Sequence, residues 1–333
     1  MKILQIGNFG IKRNLSQFYN VDYKLYFGLI RNGHSVFQFS NRDIARQVGI
    51  IKSRLGSAKR VNKKLLQVCS QLKPEMILIG HAEQITNQTL EQIKSDNPNI
   101  KIAYFNVDAL WVKHNKNLIR ERLKCKSLDS FFITTAGESI LEFKREGLQI
   151  SFMPNPSDKA IDRYKCFENA APKFDCFFAG SGEMRINFVN ELESNLPNIK
   201  FNNLTKKGLV YGQQYFDELT QCRMGLNIPQ FEEDEYQPYL YSSDRIAQYF
   251  GNGLLTFLHE KTGYKSFLKP NEDAIYYSSK SDLAEKIHEY KLNDNLAKKI
   301  AESGWKKYHM LYASENISQY VVASITLGHM KLG

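Results

Sequence analysis

The feature that most narrows the fold is an alternation of short apolar runs and helical stretches, written twice along the chain. In the first series KILQIG (2–7), HSVFQFS (34–40), MILIG (76–80), KIAYFNVD (101–108), SFFITTAG (130–137) and QISFMPNP (149–156) read as strands. Between them YKLYFGLIRNG (23–33), 59–72, TLEQIKSD (89–96) and ESILEFKREG (138–147) read as helices, the first ending at Gly33 and the second stopping before Pro74. Strands separated by helices cannot pair as hairpins, so the pattern predicts a mostly parallel sheet covered on both faces. The pattern breaks at PNPSDKAIDRYKCFENAAPK, which carries Pro154, Pro156 and Pro172, and then restarts. FDCFFAG (174–180), IKF (199–201), MGLNI (224–228) and GLLTFL (253–258) are the second set of strands. Helices are expected near 184–195, 213–221, 244–250, 281–291 and 294–312, with SQYVVASITL (318–327) as a final helix.

At 333 residues the chain exceeds what one hydrophobic core usually serves. Two α/β domains with doubly wound sheets are therefore expected: residues 1–160 and 161–312, with 313–333 as a C-terminal helix that returns to the first domain. The start, MKILQIGNFG, has an apolar run too short for a signal-peptide core, and no stretch is apolar enough to span a bilayer. The five cysteines are odd in number and form no CxxC pair. Free, buried thiols in a reducing, cytoplasmic setting are the plain expectation.

The net charge of +10 is unevenly spread. Residues 1–155 hold 24 Lys and Arg against 12 Asp and Glu, whereas 156–333 hold 21 against 23. The densest basic part is 42–64, with eight basic residues and Asp43 as its only acid. Such a field suits a solvated helical face or peripheral contact with an anionic membrane. Nucleic acid is a poor fit, because no aromatic interleaving or recognition motif accompanies the charge.

In open α/β sheets ligands lie beyond the carboxyl ends of the strands. The residues marked by that rule are Gly7-Asn8-Phe9-Gly10, His81, Asp108, Gly180-Ser181-Gly182 and Asn227. Gly180, Ser181 and Gly182 permit close backbone approach to an anion, and Arg185 follows within one helical turn. Ser243 or Asp244 can cap the next helix, with Arg245 and its first N–H groups forming a diphosphate pocket. His81 could serve as a general base if a carboxylate orients it; Glu83 stands two residues on, and Asp108 could accept or position an acceptor proton. The acidic run Glu232-Glu233-Asp234-Glu235 lies between Pro229 and Pro238 without clustered histidines and reads as a solvated loop. No metal site is expected, and no DxD triplet occurs to hold a diphosphate through a cation.

These residues also carry a family resemblance. SSDRIAQYFGNGLLTF, FLKPNEDAIYYSSKSDLAEKI and IAESGWKKYHMLYA, with FNVD, FFITTAG and SFMPNPSD in the first half, resemble glycosyltransferases of group 1, in particular the CgeB-like branch. Arg245 and Gly253 fall on that pattern's arginine and glycine; Asp282-Leu283, Ile287, Ala301 and Gly304 fit its later part. The resemblance implies a GT-B fold, two Rossmann-like domains facing an interdomain cleft, with a nucleotide-diphosphate sugar as donor and no obligatory cofactor. It implies a glycan or glycolipid acceptor, as in cell-envelope polysaccharide, lipopolysaccharide or spore-surface assembly. Gln248 stands at the position of a glutamate that commonly contacts the nucleotide ribose, and Leu240 at that of a second acidic residue. Their loss leaves an inverting reaction with His81 or Asp108 as base, a reorganised site, or a non-catalytic nucleotide-sugar or glycan-binding protein. A Rossmann-type oxidoreductase is the weakest alternative, since GNFG and FQFSNRD make a poor dinucleotide fingerprint.

Overall fold

The computed structural model describes residues 1–48, 56–110, 113–229 and 240–327. The acidic run 232–235 and the stretch 49–55 of the basic segment lie outside them. The chain forms two compact units: Met1–Pro156 with the helix that begins at Ser314, and Ser157–Ala313.

The first unit is built on β1 (Lys2–Gly7), β2 (Ser35–Ser40), β3 (Met76–Ile79), β4 (Lys101–Asn106), β5 (Ser130–Ile133) and β6 (Gln149–Phe152). They form one sheet in the order β2-β1-β3-β4-β5-β6, and every pairing is parallel. The connections carry α1 (Val21–Arg31), α2 (Asn41–Val48), α3 (Ala58–Leu72), α4 (Asn87–Asp96) and α5 (Lys113–Leu123). Ile3, Leu4 and Ile6 of β1 and all four residues of β3 are fully buried, as central strands of a sheet covered on both faces must be. Val61 and Leu65 of α3 and Leu90 and Ile93 of α4 close the core on one face.

The second unit repeats the plan with β7 (Phe174–Phe178), β8 (Phe201–Asn203), β9 (Cys222–Asn227), β10 (Leu255–His259) and β11 (Ile275–Tyr277), ordered β11-β10-β9-β7-β8 and again parallel throughout. Its helices are α6 (Glu183–Asn195), α7 (Gln213–Leu219), α8 (Asp244–Gly251), α9 (Lys280–Leu292) and α10 (Asp294–Tyr312). The last helix, α11 (Ser314–Leu327), packs on α1 of the first unit, where Gly28 lets the backbone at Ser314 approach: a Cβ there would lie 2.1 Å from the Ser314 carbonyl oxygen.

The parallel α/β architecture expected from the alternation is the one observed. Differences are local. ESILEFKREG forms only a short 3-10 segment, Glu138–Phe143, because Arg145 bridges to Leu148 and its guanidinium is drawn to the Cys125 carbonyl, which turns the chain before a helix can propagate. The runs ending FNVD, TTAG and MPNP leave the sheet earlier than composition suggested, since the strands beside them offer no further pairing. All five cysteines are free.

In each sheet the order reverses once, between β1 and β3 in the first unit and between β7 and β9 in the second. Chains leaving two neighbouring strands in opposite directions open a crevice there, at the carboxyl ends. The Asp22–His81 pair falls at the first of these points, beside a cavity at the ends of β3 and β4, and the Arg245 site at the second.

Candidate active site residues at two strand ends

In the first unit His81 follows β3 after Gly80, and its Nδ1 lies 3.1 Å from Oδ2 of Asp22. Asp22 belongs to the first turn of α1, which Asn20 caps by accepting the N–H of Tyr23. Its carboxylate is wholly buried; Oδ2 also accepts the Asn8 N–H at 3.1 Å, and Oδ1 has no partner. Two glycines make room for it. A Cβ on Gly7 would sit 2.3 Å from Asp22 Oδ1, and one on Gly80 would sit 2.6 Å from the same oxygen and 2.3 Å from Phe105. Strand-end glycines on β1 and after β3 thus let a buried carboxylate reach the histidine.

Sequence reasoning looked to Glu83 as the group that could orient His81. Glu83 is instead paired with Arg42 of α2, and Asp22 does the orienting. Asp22 was overlooked because the apolar periodicity places the helix start at Tyr23; the available signal was an acid in the first turn after an Asn cap. Burial works to lower the His81 pKa, but the hydrogen bond and charge of Asp22 outweigh it, with a further contribution from Asp108, and raise it to about 9. Arg42 opposes that rise.

His81 and Asp108 line one cavity of about 820 Å³ at the carboxyl ends of β3 and β4, together with Arg42, Glu83, Asn106 and Arg122. Asp108 is exposed there, tied by its carbonyl to the Asn106 amide at 2.9 Å. Deeper in the wall the Arg122 guanidinium lies over the Tyr104 ring, 5.5 Å from its centroid, and donates to the Ala82 carbonyl. Burial pushes the Tyr104 hydroxyl up to about 12, so it is a neutral donor near neutral pH. The cavity is thus wide enough for a sugar-sized group, sets several polar and charged side chains in a mostly apolar wall, and holds an imidazole backed by a carboxylate.

In the second unit Ala179-Gly180-Ser181-Gly182 joins β7 to α6. Gly182 has φ 96, and no side chain caps the helix it opens. Arg185, in the first turn, donates through Nε to the Ser181 carbonyl at 2.7 Å. Arg245 reaches across from the first turn of α8: Nη1 lies 3.4 Å from the Ala179 carbonyl and Nη2 2.9 Å from that of Ile228, so it spans the ends of β7 and β9. It lies over the Phe178 ring, and its Nε is buried without a partner. Gly180 is required for this passage, since a Cβ there would meet Arg245 Nη1 and Phe178 Cζ, each at 2.7 Å. Burial first, and repulsion from Arg245 second, lower the Arg185 guanidinium to about 10. Two guanidinium groups are therefore crowded at the mouth of a helix without a capping side chain, an arrangement that an oxyanion would relieve.

Ser243 is the N-cap of α8: its hydroxyl accepts the Ile246 N–H at 3.4 Å and donates to Asn227 Oδ1 at 3.2 Å. That helix end is consequently capped by its own chain, unlike α6. Asp244 is exposed beside it. Gln248, 7% exposed, turns its side-chain carbonyl to the Tyr215 hydroxyl of α7. Among the described residues no group of three or more His, Cys, Asp or Glu is placed to hold a metal ion.

Residues 165–323 match the model of a family described as glycosyl transferase-like. Among solved structures, the chain is similar in fold to sucrose-phosphate synthase from Thermosynechococcus elongatus, with a TM-score of 0.65 at 11% identity over 96% of this chain and 97% of that one. It is similar also to Anabaena HepE in complex with UDP and glucose (0.59, 12%, 98% and 100%) and to the T4 phage β-glucosyltransferase (0.57, 14%, 98% and 100%). No curated protein sequence matches the chain.

Proposed function

We propose that the chain is a glycosyltransferase of CgeB-like kind that moves a sugar from a nucleotide-diphosphate donor to a hydroxyl of a glycan or glycolipid acceptor. The fold is GT-B, two parallel-sheet α/β units of six and five strands, and its second half matches a glycosyl transferase-like domain. The observation that carries the reading further is that Arg185, on the Ser181 carbonyl, and Arg245, on the Ala179 carbonyl, are both held at the loop that opens the uncapped α6. Positive charge held so closely at a strand-order reversal suits a diphosphate, and it suits best the moment when the bond to the sugar breaks and that diphosphate gains charge. Gly180, Ser181 and Gly182 allow the phosphates to approach the backbone; Ser243 and Asp244 shape the neighbouring helix end, and the Gln248 amide is offered to the nucleotide. Guanidinium and N–H donors do here what a divalent cation does elsewhere, so the reaction is proposed to need none.

His81, oriented by Asp22, takes the acceptor proton at Nε2, while Asp108 positions the acceptor hydroxyl in the first-unit cavity. That assignment makes the reaction inverting: one displacement, with the base on the acceptor side. HepE, as its complexes show, binds UDP and glucose, and a uridine nucleotide is accordingly the first donor to try.

The test is a panel of nucleotide sugars scored twice, by protection against thermal unfolding and by slow donor hydrolysis. Stabilisation by one nucleoside diphosphate sugar with release of its nucleotide is expected. The side-chain carbonyl of Gln248 is already engaged by Tyr215, which favours one second reading, a binding protein without turnover; stabilisation with no nucleotide release over long incubation, with and without glycan acceptors, would select it. Stabilisation by a nicotinamide dinucleotide instead would sink both.

A further inference from the structure

The carboxyl edge of the first sheet carries a second surface that neither the cavity nor the core uses. Between β1 and α1 the chain turns through Gly10, Asn14 and Leu15 at φ 59, 53 and 56. A left-handed backbone is unfavourable for leucine, whose Cβ crowds the neighbouring carbonyl. Here it holds that side chain outward, 47% exposed, and Ile11, four positions earlier in the same turn, is 56% exposed. The turn is anchored: the N–H groups of Ile11 and Lys12 donate to the two oxygens of Asp43 in α2 at 2.8 and 3.2 Å, and Asp43 is itself buried. The N–H groups of Arg13 and Leu15 both donate to the Gly10 carbonyl at 3.0 Å. Exposed Lys12 and Arg13 therefore sit between two apolar side chains on a pinned support.

Helix α3, packed on the α2 that anchors this turn, adds charge of one sign. Arg60 of α3 donates to the Val48 carbonyl that ends α2, and the first two turns of α3 expose Lys59, Arg60, Lys63 and Lys64. Among the described residues, Lys12, Arg13, Lys59, Lys63 and Lys64 have no carboxylate at ion-pair distance. The nearby acids are spent: Asp43 on the turn itself, Asp22 on Asn8 and His81, Glu83 on Arg42.

We infer that this surface docks the protein on an anionic bilayer. The lysines and arginines supply attraction to acidic headgroups, and Ile11 and Leu15 enter the boundary between headgroups and acyl chains. A soluble polyanion would need the charges alone; it gives no reason to hold a leucine outward on a strained backbone. Among the described residues no helix is long and apolar enough to cross a membrane, so the contact is peripheral. Arg42, in the same helix as Asp43, lines the His81 cavity, so a docked molecule would meet lipid-borne acceptors at that cavity; this last clause alone rests on the transferase reading.

The test is flotation of the full chain with vesicles of phosphatidylcholine, with and without phosphatidylglycerol. Binding only to the anionic vesicles is expected, with about 30-fold or greater weakening in K63E/K64E and, independently, a clear weakening in I11S/L15N. Asn tolerates a left-handed backbone, so I11S/L15N should fold at least as well as the parent, which its melting temperature checks. Equal binding to neutral vesicles, or none to anionic ones, overturns the proposal. So does full binding by I11S/L15N when K63E/K64E has lost it, which would make the surface a general polyanion site. The vesicles contain no acceptor or nucleotide sugar, so their result is separate from that of donor hydrolysis, which I11S/L15N should leave unchanged.

Discussion

A histidine with a pKa near 9 is an odd base at neutral pH, and that oddity makes the Asp22–His81 pair testable. Most molecules carry the imidazolium at pH 7, so the reactive neutral form is a minority that grows as pH rises. If His81 takes the acceptor proton, log kcat/KM should climb with pH and level off near 9. In D22N the hydrogen bond and charge that do most to raise the pKa are gone, leaving burial and Arg42, which lower it, against the smaller opposing effect of Asp108. The limb of the profile should then move to below about pH 6.5, the ordinary imidazole value, and the plateau should fall about 10- to 1,000-fold because nothing orients the ring. A profile that does not move in D22N would remove His81 from the role. The same shift has a stability sign. A raised pKa stabilises the fold fully below the unfolded value of about 6.5, and this contribution is lost as pH rises through about 9. Thermal melts from pH 6 to 10 should show that loss in the parent and not in H81Q.

At the scale of elements, glycines at strand ends decide whether either site can exist. G80A would drive a Cβ into Phe105 and Asp22, and overpacking of this kind costs about 1–3 kcal/mol, read as a fall in denaturation midpoint. G180A meets both the end of Arg245, which can move, and the ring of fully buried Phe178, which has little room, so its expected signature is twofold: a stability loss of about 1–3 kcal/mol and weakened nucleotide affinity. Removing the α8 cap in S243A should cost about 1 kcal/mol of stability. The elements themselves were legible because apolar runs between Gly, Asn and Pro leave few alternatives to buried parallel strands. The helices α2 and α5 and strand β11 were not: the helices were hidden by their charge, and IYY is too short for a period to register. Gly180 could be marked as a turn residue, but that it clears a path for Arg245, 65 positions on, is a fact of tertiary packing. Asp22 was illegible for a like reason, since nothing local joins it to a histidine 59 residues away.

For the whole molecule, the two units repeat one topology, and the proposed reading divides the work between them: the second would grip an anion, and the first would carry the base and the acceptor cavity. That division predicts separable defects. With a nucleoside diphosphate at 100 times its dissociation constant, the parent should gain about 2.7 kcal/mol against unfolding. R185A/R245A should lose most of that gain, since each charged hydrogen bond to phosphate contributes about 1.5–3 kcal/mol. H81Q should keep the gain in full while losing transfer, because it takes no part in holding the nucleotide. Calorimetry on the three proteins, with turnover measured alongside, distinguishes the outcomes. Should H81Q bind the nucleotide as poorly as R185A/R245A, the partition between donor and acceptor units would be wrong. Equal nucleotide affinity in all three would instead mean that the crowded guanidinium pair brackets β7 and β9 for the sake of the fold, with the diphosphate held elsewhere.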